Sequence, residues 1–202
     1  MLMDFMDSDI LKMNFDQPTP KIGDLLLAEP LMTDIAFSRS VVILVEHNNE
    51  TGSLGFVTNK KSKYTLNELV AEIDIEEEIP VYVGGPVHHD RLFYIHTLGN
   101  IIPESIDLGN GLYVSGDFNV IIEYVNSGAP VNGKIRFILG YSGWDSKQLE
   151  GELQNFDWAV IPNNDSAQIL TLDGENAWRT QVSKLDSKYK LWLNCPKNAS
   201  LN

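Results

Sequence analysis

The chain has 202 residues, of which 43% are hydrophobic and 21% are charged, and its formal net charge is −13. This composition is typical of a globular protein with one sizeable core, and it excludes a disordered chain. No apolar run approaches the roughly 18 residues of a membrane-spanning helix, so no membrane association is expected. The 28 acidic residues outnumber the 15 basic ones. The resulting field repels phosphates, which argues against direct DNA binding.

Residues 1–20 mix methionines, acids and apolar side chains and end in a polar stretch with two prolines. This pattern predicts an N-terminal extension (1–20) ahead of a single domain at residues 21–202. Acids stand where a secretory signal carries Lys or Arg, so secretion is not expected. Cys195 is the only cysteine, which excludes an internal disulfide and favours the reducing cytoplasm.

A short strand is predicted at residues 24–28, and the central hairpin follows it. Residues 41–45 are five consecutive apolar side chains, mostly β-branched, which is typical of a strand covered on both faces. The polar residues 48–52 indicate a turn, and residues 53–59 are predicted to form the return strand. Polar residues therefore stand at both ends of a buried strand, where a rigid scaffold can hold a site.

The rest of the chain alternates between groups of strands and single helices. Capping signals and apolar spacing predict helices at 65–72, 117–125, 146–154 and 177–185. Further strands are predicted at 80–83, 91–96, 112–114, 134–141 and 157–161. Short links predict antiparallel pairing of successive strands, including 80–83 with 91–96. The sequence thus predicts an α+β domain with a mixed, mostly antiparallel, partly coiled β-sheet and about four packed helices.

The sequence contains no complete catalytic, metal-binding or phosphate-binding motif. Residues 140–144 begin like the nucleophile elbow of serine hydrolases, on a predicted strand-to-helix turn. Trp144, however, occupies a position that needs a small residue, and no histidine follows Ser142. The four histidines lack zinc-site spacing, so no metal is predicted. Gly84–Gly85 lacks a following helix and Pro86 lacks an N–H, so neither a phosphate nest nor a cofactor is predicted.

A polar cleft around the buried strand remains open to two interpretations. Arg39 and Ser40 precede the strand, and Glu46 and His47 follow it. Arg39 is too far along an extended chain from Glu46 to pair with it directly. Arg39 is therefore expected either to form a structural ion pair with a carboxylate such as Asp34 or to bind a ligand anion.

Seven motifs, in this order, resemble the YqgE/AlgH family, over residues from about 21 to 195. They are GDLLLAEP at 23–30, FSRSVV at 37–42, EH at 46–47, GGPV at 84–87, LF at 92–93 with His96, GYSGW at 140–144, and QLE at 148–150. The resemblance implies a cytoplasmic bacterial protein of one α+β domain without an established reaction. Some members of that family are labelled transcriptional regulators.

By resemblance, a shared surface maps onto ten residues of this chain. They are Pro30, Arg39, Ser40, His47, Gly84, Gly85, Pro86, His96, Gly143 and Trp144. One departure is Ser142, where the family commonly has Ala; it further weakens the case for a serine nucleophile. No helix pair with a short Gly-containing turn and a basic second helix is evident, so a regulator of this kind is expected to act through another protein or a small ligand.

The leading hypothesis is a cytoplasmic binding or regulatory module. Its cleft is expected to form from residues 37–47, 84–86 and 140–144, and to take a protein partner or a small anionic ligand without direct DNA contact. The alternative is an enzyme of unknown reaction, with His47 or His96 as general base and Arg39 as an anion clamp in the same cleft. The sequence does not fix the oligomeric state.

Overall fold

The computed structural model describes residues 18–196, in which ten strands, five α-helices and one 3₁₀ helix are found. The strands are β1 Leu25–Ala28, β2 Val41–Asn48, β3 Gly52–Val57, β4 Lys61–Thr65, β5 Pro80–Val83, β6 Val87–His96, β7 Ile106–Gly109, β8 Leu112–Val114, β9 Ile135–Trp144 and β10 Trp158–Ile161. The helices are α1 Leu66–Leu69, α2 Phe118–Asn126, α3 Gln148–Gln154, α4 Ser166–Thr171, α5 Gly174–Val182 and the 3₁₀ helix Ser187–Asn194. The predicted extension, 1–20, lies outside the described residues except for 18–20.

The described strands form one sheet in the order β10-β1-β2-β3-β9-β6-β8-β7, with β5 beside β9 and β4 beside β5. The pair of β5 and β9 is parallel, and the other pairs in this part of the chain are antiparallel. The predicted α+β class and mixed, mostly antiparallel sheet are therefore confirmed. The four predicted helices correspond to α1, α2, α3 and α5, and the structure adds α4 and the 3₁₀ helix.

Both faces of the central strands are covered, as predicted for residues 41–45. On one face, Leu25, Leu27 and Ile43 pack with α4, α5 and the 3₁₀ helix. On the other face, Leu26 and Val42 pack in a cluster that includes residues of α3 and β10. Alternate residues of one strand thus serve two cores, because successive side chains point to opposite faces of a sheet. A third cluster joins α1 and α2 to β5, β6 and β9.

The predicted pairing of β5 with β6 is wrong, because β9 lies between them. Val83 of β5 pairs with Leu139, and Val87 of β6 pairs with Tyr141. The three-residue link between β5 and β6 must therefore cross β9. A Cβ on Gly84 would lie 2.3 Å from the Gly140 carbonyl oxygen, so only glycine permits the crossing. A short link shows that two strands are near each other in space. It does not show that they pair, because a strand from far along the chain can lie between them.

Helix α3 is placed by a tight turn after β9. Gln148 Oε1 accepts a hydrogen bond from the Asp145 N–H at 3.0 Å, and the Gln148 N–H donates to the Asp145 carbonyl at 3.0 Å. Lys147 adopts a left-handed conformation, with φ of 61°, immediately before the helix. The turn brings α3 back against β3 and β10, so its inward face meets the aromatic residues of the neighbouring strands.

None of the described helices has the length and hydropathy to cross a membrane.

Candidate functional site

A cleft of about 500 Å³ opens between the loop after β1, the end of β9, and α3. We call it the tryptophan cleft. It is lined by Glu29, Leu31, Met32, Thr33, Asp34, Phe37, Gly143, Trp144, Gln148, Glu152, Asp157 and Trp158. Its volume is within the range of small-ligand sites, roughly 300–1,000 Å³.

Glu152 organises the aromatic wall of this cleft. Its Oε2 accepts hydrogen bonds from the indole N–H groups of Trp144, at 2.8 Å, and Trp158, at 2.7 Å. Its Oε1 accepts from the Gln148 side-chain amide at 2.8 Å. The two indoles meet edge to face, with ring centroids 5.9 Å apart. One carboxylate on α3 therefore fixes the orientation of two rings from different strands.

The opposite wall is the loop at residues 29–37, held by short-range hydrogen bonds. Glu29 Oε2 accepts from the Leu31 N–H at 3.0 Å, and Asp34 Oδ1 accepts from the Ala36 N–H at 2.8 Å. The Lys60 ammonium donates to the carbonyls of Ile35 and Ala36, both at 2.8 Å. Partial burial lowers the pKa of Lys60. The loop tip, Ile35, remains 87% exposed beside the cleft.

The charged residues that line the tryptophan cleft are all acidic. Glu29, Asp34, Glu152 and Asp157 contribute carboxylates, and its described lining residues include no Lys or Arg. A concave, partly apolar site of one sign raises the local concentration of counter-charged ligands. Phe37 adds an aromatic ring, with its centroid 5.5 Å from that of Trp158. Carboxylates beside aromatic rings suit a cationic group better than an anion.

A second cleft, of about 480 Å³, shares Gly143 and Trp144 with the first among its lining residues. We call it the tyrosine cleft, and its lining includes Glu46, Ser53 and Tyr141. His47 Nδ1 is 2.7 Å from Ser53 Oγ. A serine nucleophile needs a base that a third group orients, and no carboxylate among the described residues is hydrogen-bonded to the His47 ring.

The ten residues of the predicted surface are not all brought together in either of these two clefts. Gly143 and Trp144 line both clefts, and His47 lies beside the tyrosine cleft. Pro30 is buried in the wall of the tryptophan cleft, between two lining residues. Arg39, Ser40, Gly84, Gly85, Pro86 and His96 line neither cleft. The arginine and His47 are kept apart because β2 is extended, which puts roughly 20 Å between its first residue and His47.

Arg39 is a structural ion-pair residue and is not available to a ligand anion. Its guanidinium is buried, pairs with the Glu175 carboxylate and lies 5.0 Å from the centre of the Trp178 ring. Its Nη2 donates to the Cys195 carbonyl at 2.6 Å. The expected partner Asp34 is therefore replaced by a residue of α5. Ser40, beside it, is fully buried. The proposed catalytic pair of Arg39 and His47 in one cleft is not assembled.

His96 is buried in the core and both ring nitrogens are occupied. Nε2 donates to the Ser115 carbonyl at 2.9 Å, and Nδ1 accepts from the Leu98 N–H at 3.1 Å. The ring stacks on Tyr113, with centroids 5.8 Å apart. This arrangement fixes a neutral tautomer, and burial lowers the pKa of His96. Both ring nitrogens of His96 are thus occupied by backbone groups, and the residue lines neither the tryptophan cleft nor the tyrosine cleft.

Burial of His96 has a consequence for stability at acid pH. The unfolded chain binds a proton near pH 6.5, whereas the folded state resists protonation. The unfolded state therefore binds more protons than the folded state below that pH. As the pH decreases, this group is expected to lower the free energy of unfolding by at most ~1.4 kcal/mol per pH unit. Urea denaturation from pH 7.5 to 5.5 measures it. In His96→Gln this extra slope should disappear, and in the exposed-site control His88→Gln it should persist; equal slopes in all three proteins would contradict the assignment.

The expected glycine-rich turn at 140–144 is also wrong, because β9 continues to Trp144. Ser142 is buried within the strand and donates to the Gly84 carbonyl at 2.9 Å, so it is no nucleophile. Gly84 and Gly85 allow close packing against β9, and Pro86 is exposed at the start of β6. The interpretation of the Gly-Gly-Pro segment as a close chain approach agrees with this geometry.

Sequence reasoning missed most of the tryptophan cleft. Glu29, Glu152, Asp157 and Trp158 come from the loop after β1, from α3, and from the start of β10. Glu152, Asp157 and Trp158 are close together in the sequence, and the pairing of β1 with β10 brings Glu29 to them from more than a hundred positions away. The available signal was the recurrence of Trp beside acids at 144–145 and 157–158.

Among residues 18–196, no group of three His, Cys, Asp or Glu could hold a metal ion.

Comparison with known proteins identifies the fold and the family. A family model described as AlgH-like matches residues 25–190. The chain belongs to the AlgH-like family. Its sequence is 44% identical over 195 residues to a UPF0301 protein of Parabacteroides distasonis, covering 96% of this chain and 98% of that protein. It is 41% identical over 197 residues to a UPF0301 protein of Bacteroides fragilis, covering 98% and 99% of the two chains.

Two solved structures share the AlgH-like architecture. The solution structure of the AlgH protein from Pseudomonas aeruginosa matches with a TM-score of 0.68 and 30% identity, covering 93% of this chain and all of that one. A crystal structure of a Corynebacterium diphtheriae protein matches with a TM-score of 0.70 at 20% identity, covering 88% and 94%, and this likeness concerns the fold alone. The family resemblance of the seven motifs is thus confirmed.

Proposed function

We propose that this AlgH-like protein is a cytoplasmic binding module that exerts a regulatory effect through a protein partner, and that the tryptophan cleft receives a basic side chain of that partner. The observation that carries the proposal is the lining of four acidic and three aromatic residues, with no Lys or Arg among the described lining residues. The single cysteine supports the compartment, since it provides no disulfide.

Preorganisation supports a binding role for this cleft. Glu152 is held by three N–H donors, so its carboxylate and the two indoles lose little freedom when a ligand arrives. An incoming guanidinium or ammonium group gains from the half-buried ring of Phe37 and from the carboxylates of the wall formed by residues 29–37. Exposed Ile35 at the lip offers an apolar contact next to the charged one. This combination fits a protein segment with both apolar and basic residues.

Regulation through a protein also agrees with the helices. The structure contains a helix pair that the sequence did not suggest: α4 and α5 are separated by Leu172 and Asp173, and α5 begins at Gly174. The second helix, however, carries Glu175 and a single basic residue, Arg179, and its Trp178 is buried. A helix that reads DNA presents a basic, exposed face to the groove. This pair therefore gives no reason to propose direct DNA contact.

Photo-crosslinking in bacterial cells tests the proposal. Benzoylphenylalanine at Thr33, on the exposed wall of the cleft, is expected to capture one protein, and the same group at Asn119, on the exposed face of α2, is not. The captured protein, identified by mass spectrometry and purified, should bind the wild-type chain through a Lys- or Arg-containing segment. The affinity of this protein for the wild-type chain should fall about tenfold or more in high salt. Replacement of the Lys or Arg in its binding segment should have an effect of the same size.

An occluding variant provides the matched comparison. Thr33→Trp adds a large side chain to the exposed wall of the tryptophan cleft and should abolish binding. Asn119→Trp adds the same side chain on the exposed face of α2, outside the lining residues, and should leave binding unchanged. Binding that survives Thr33→Trp, or adducts that are the same at positions 33 and 119, would refute the proposal.

A further inference from the structure

A third cleft, of about 320 Å³, lies away from the tryptophan and tyrosine clefts, and we call it the arginine cleft. Its walls come from β5, the start of β9, the end of α4 and the segment before β5. It is lined by Lys61, Glu77, Glu78, Ile79, Pro80, Tyr82, Val131, Asn132, Ile135, Arg136, Leu170, Thr171 and Asp173. Half of this wall is aliphatic or aromatic, and the charged residues Glu77, Glu78 and Lys61 are exposed at the rim.

Arg136 lines this cleft and is only 2% exposed. Its Nη1 donates to the carbonyls of Thr58 and Leu172, the latter at 3.0 Å. The centre of the guanidinium lies 3.9 Å from the centre of the Tyr82 ring. Its Nε is buried without a hydrogen-bond partner. In the described part of the chain, no carboxylate lies within ion-pair distance of the group.

This arginine is an exception to the usual treatment of buried charge. Buried ions in proteins are paired, because removal from water is costly for an isolated charge. Burial lowers the pKa of Arg136 to about 10, so the group still carries its proton at neutral pH. The nearby carboxylate of Asp173 contributes at longer range, but it is bound to the Lys61 ammonium at 2.6 Å. Arg39, by contrast, is as deeply buried and does have its carboxylate.

We propose that the arginine cleft binds a small monocarboxylate with an apolar body, whose carboxylate pairs with Arg136. A carboxylate supplies the acceptors that the guanidinium lacks, in the paired geometry that arginine favours. Ile79, Val131 and Leu170 provide an apolar wall for the rest of the molecule. The volume is at the lower end of the usual range for ligand sites, so the ligand is small. Glu77 and Glu78 at the rim disfavour a dianion such as phosphate.

A purely structural role is the competing explanation for Arg136. The guanidinium joins the end of β3, through Thr58, to the end of α4, through Leu172, where a cation is favourable near helix carbonyls. That role requires no ligand and predicts no preference between a carboxylate and a neutral molecule of the same shape. The two explanations therefore differ in what a matched pair of probes would show.

Benzoate and benzamide form that matched pair, because they have nearly the same size and differ in charge. Amide chemical shifts of the full-length protein, titrated with each probe at neutral pH, should move around Tyr82, Val131 and Leu170 with benzoate. Benzamide should bind about tenfold or more weakly, since it cannot form the charge-assisted pair. Inorganic phosphate should not compete with benzoate. Equal shifts from both probes, shifts elsewhere, or no shifts at millimolar benzoate would overturn the proposal.

Two variants locate the site independently of each other. Arg136→Met keeps the length and apolar character of the side chain and should abolish the preference for benzoate. Thr171→Phe, at the exposed end of α4, should block the cleft without removing any contact of Arg136. If Arg136→Met fails to fold, Thr171→Phe alone decides the question. Unchanged benzoate binding in a folded blocking variant would refute the site.

Discussion

Replacement of Arg39 with alanine is expected to lower the free energy of unfolding by about 3 kcal/mol, because it breaks a buried ion pair. The change leaves the Glu175 carboxylate, which is 27% exposed, without its buried cation, and removes the donor to the Cys195 carbonyl. It also removes the cation that lies against Trp178, and it leaves a void beside that ring. Urea denaturation followed by circular dichroism measures the loss.

Arg179 is the control for this prediction, because it faces the same carboxylate oxygen. Its Nη1 lies 3.8 Å from Glu175 Oε1, and its side chain is 45% exposed. Exposed pairs contribute between about 0 and 1 kcal/mol, so Arg179→Ala should destabilise far less than Arg39→Ala. A double-mutant cycle with Glu175→Gln isolates each pair. Equal losses for the two arginines would show that burial does not decide the strength of this interaction.

Gly85→Ala is expected to cost about 3 kcal/mol or more, from strain and overpacking together. The residue has φ of 151°, which side chains rarely adopt, and a Cβ would lie 2.4 Å from the Tyr141 carbonyl carbon and oxygen. These are backbone atoms of β9, so relief requires movement of the link away from the central strand. Thermal and urea unfolding of the purified variant measure the effect, and a variant that does not accumulate in cells agrees with it.

Gly151→Ala is the matched control, with the opposite expected sign. Gly151 lies inside α3, and a Cβ there would have no heavy atom within 4 Å apart from its chain neighbours and the backbone of its own helix. Alanine is a better helix former than glycine, so the variant should gain about 0.5–1 kcal/mol. If the two alanine variants were equally stable, the close approach of residues 84–85 to β9 would not be a constraint on the fold.

Local sequence patterns were sufficient to predict the hairpin and the buried strand. Residues 41–45 are apolar on both faces, and that pattern follows from packing against two layers, whichever helices provide them. The pairing of β5 and β6 could not be predicted in the same way. Their link is short, but β9 arrives from fifty residues further along and takes the position between them. To the four predicted helices the structure adds α4, of six residues, and the 3₁₀ helix.

The candidate site was predictable only in part, for a similar reason. Gly143 and Trp144 stood out as a motif, and they do line two clefts. Arg39 also stood out, but its partner Glu175 is 136 positions away and nothing local indicates it. Glu152 and Trp158 are hydrogen-bonded over a short sequence separation, but the opposite wall of the cleft reaches them only through the pairing of β10 with β1. Residue type thus indicates what a side chain can do, whereas long-range pairing decides where it does so.

Strand β9 has a further consequence, for synthesis on the ribosome. It supplies hydrogen bonds to β3, β5 and β6, all of which are translated before it. At about 5–20 residues per second, the emerging polypeptide carries unpaired apolar edges for several seconds before this partner leaves the exit tunnel. Premature termination before residue 135 should therefore yield aggregates and not a smaller folded product.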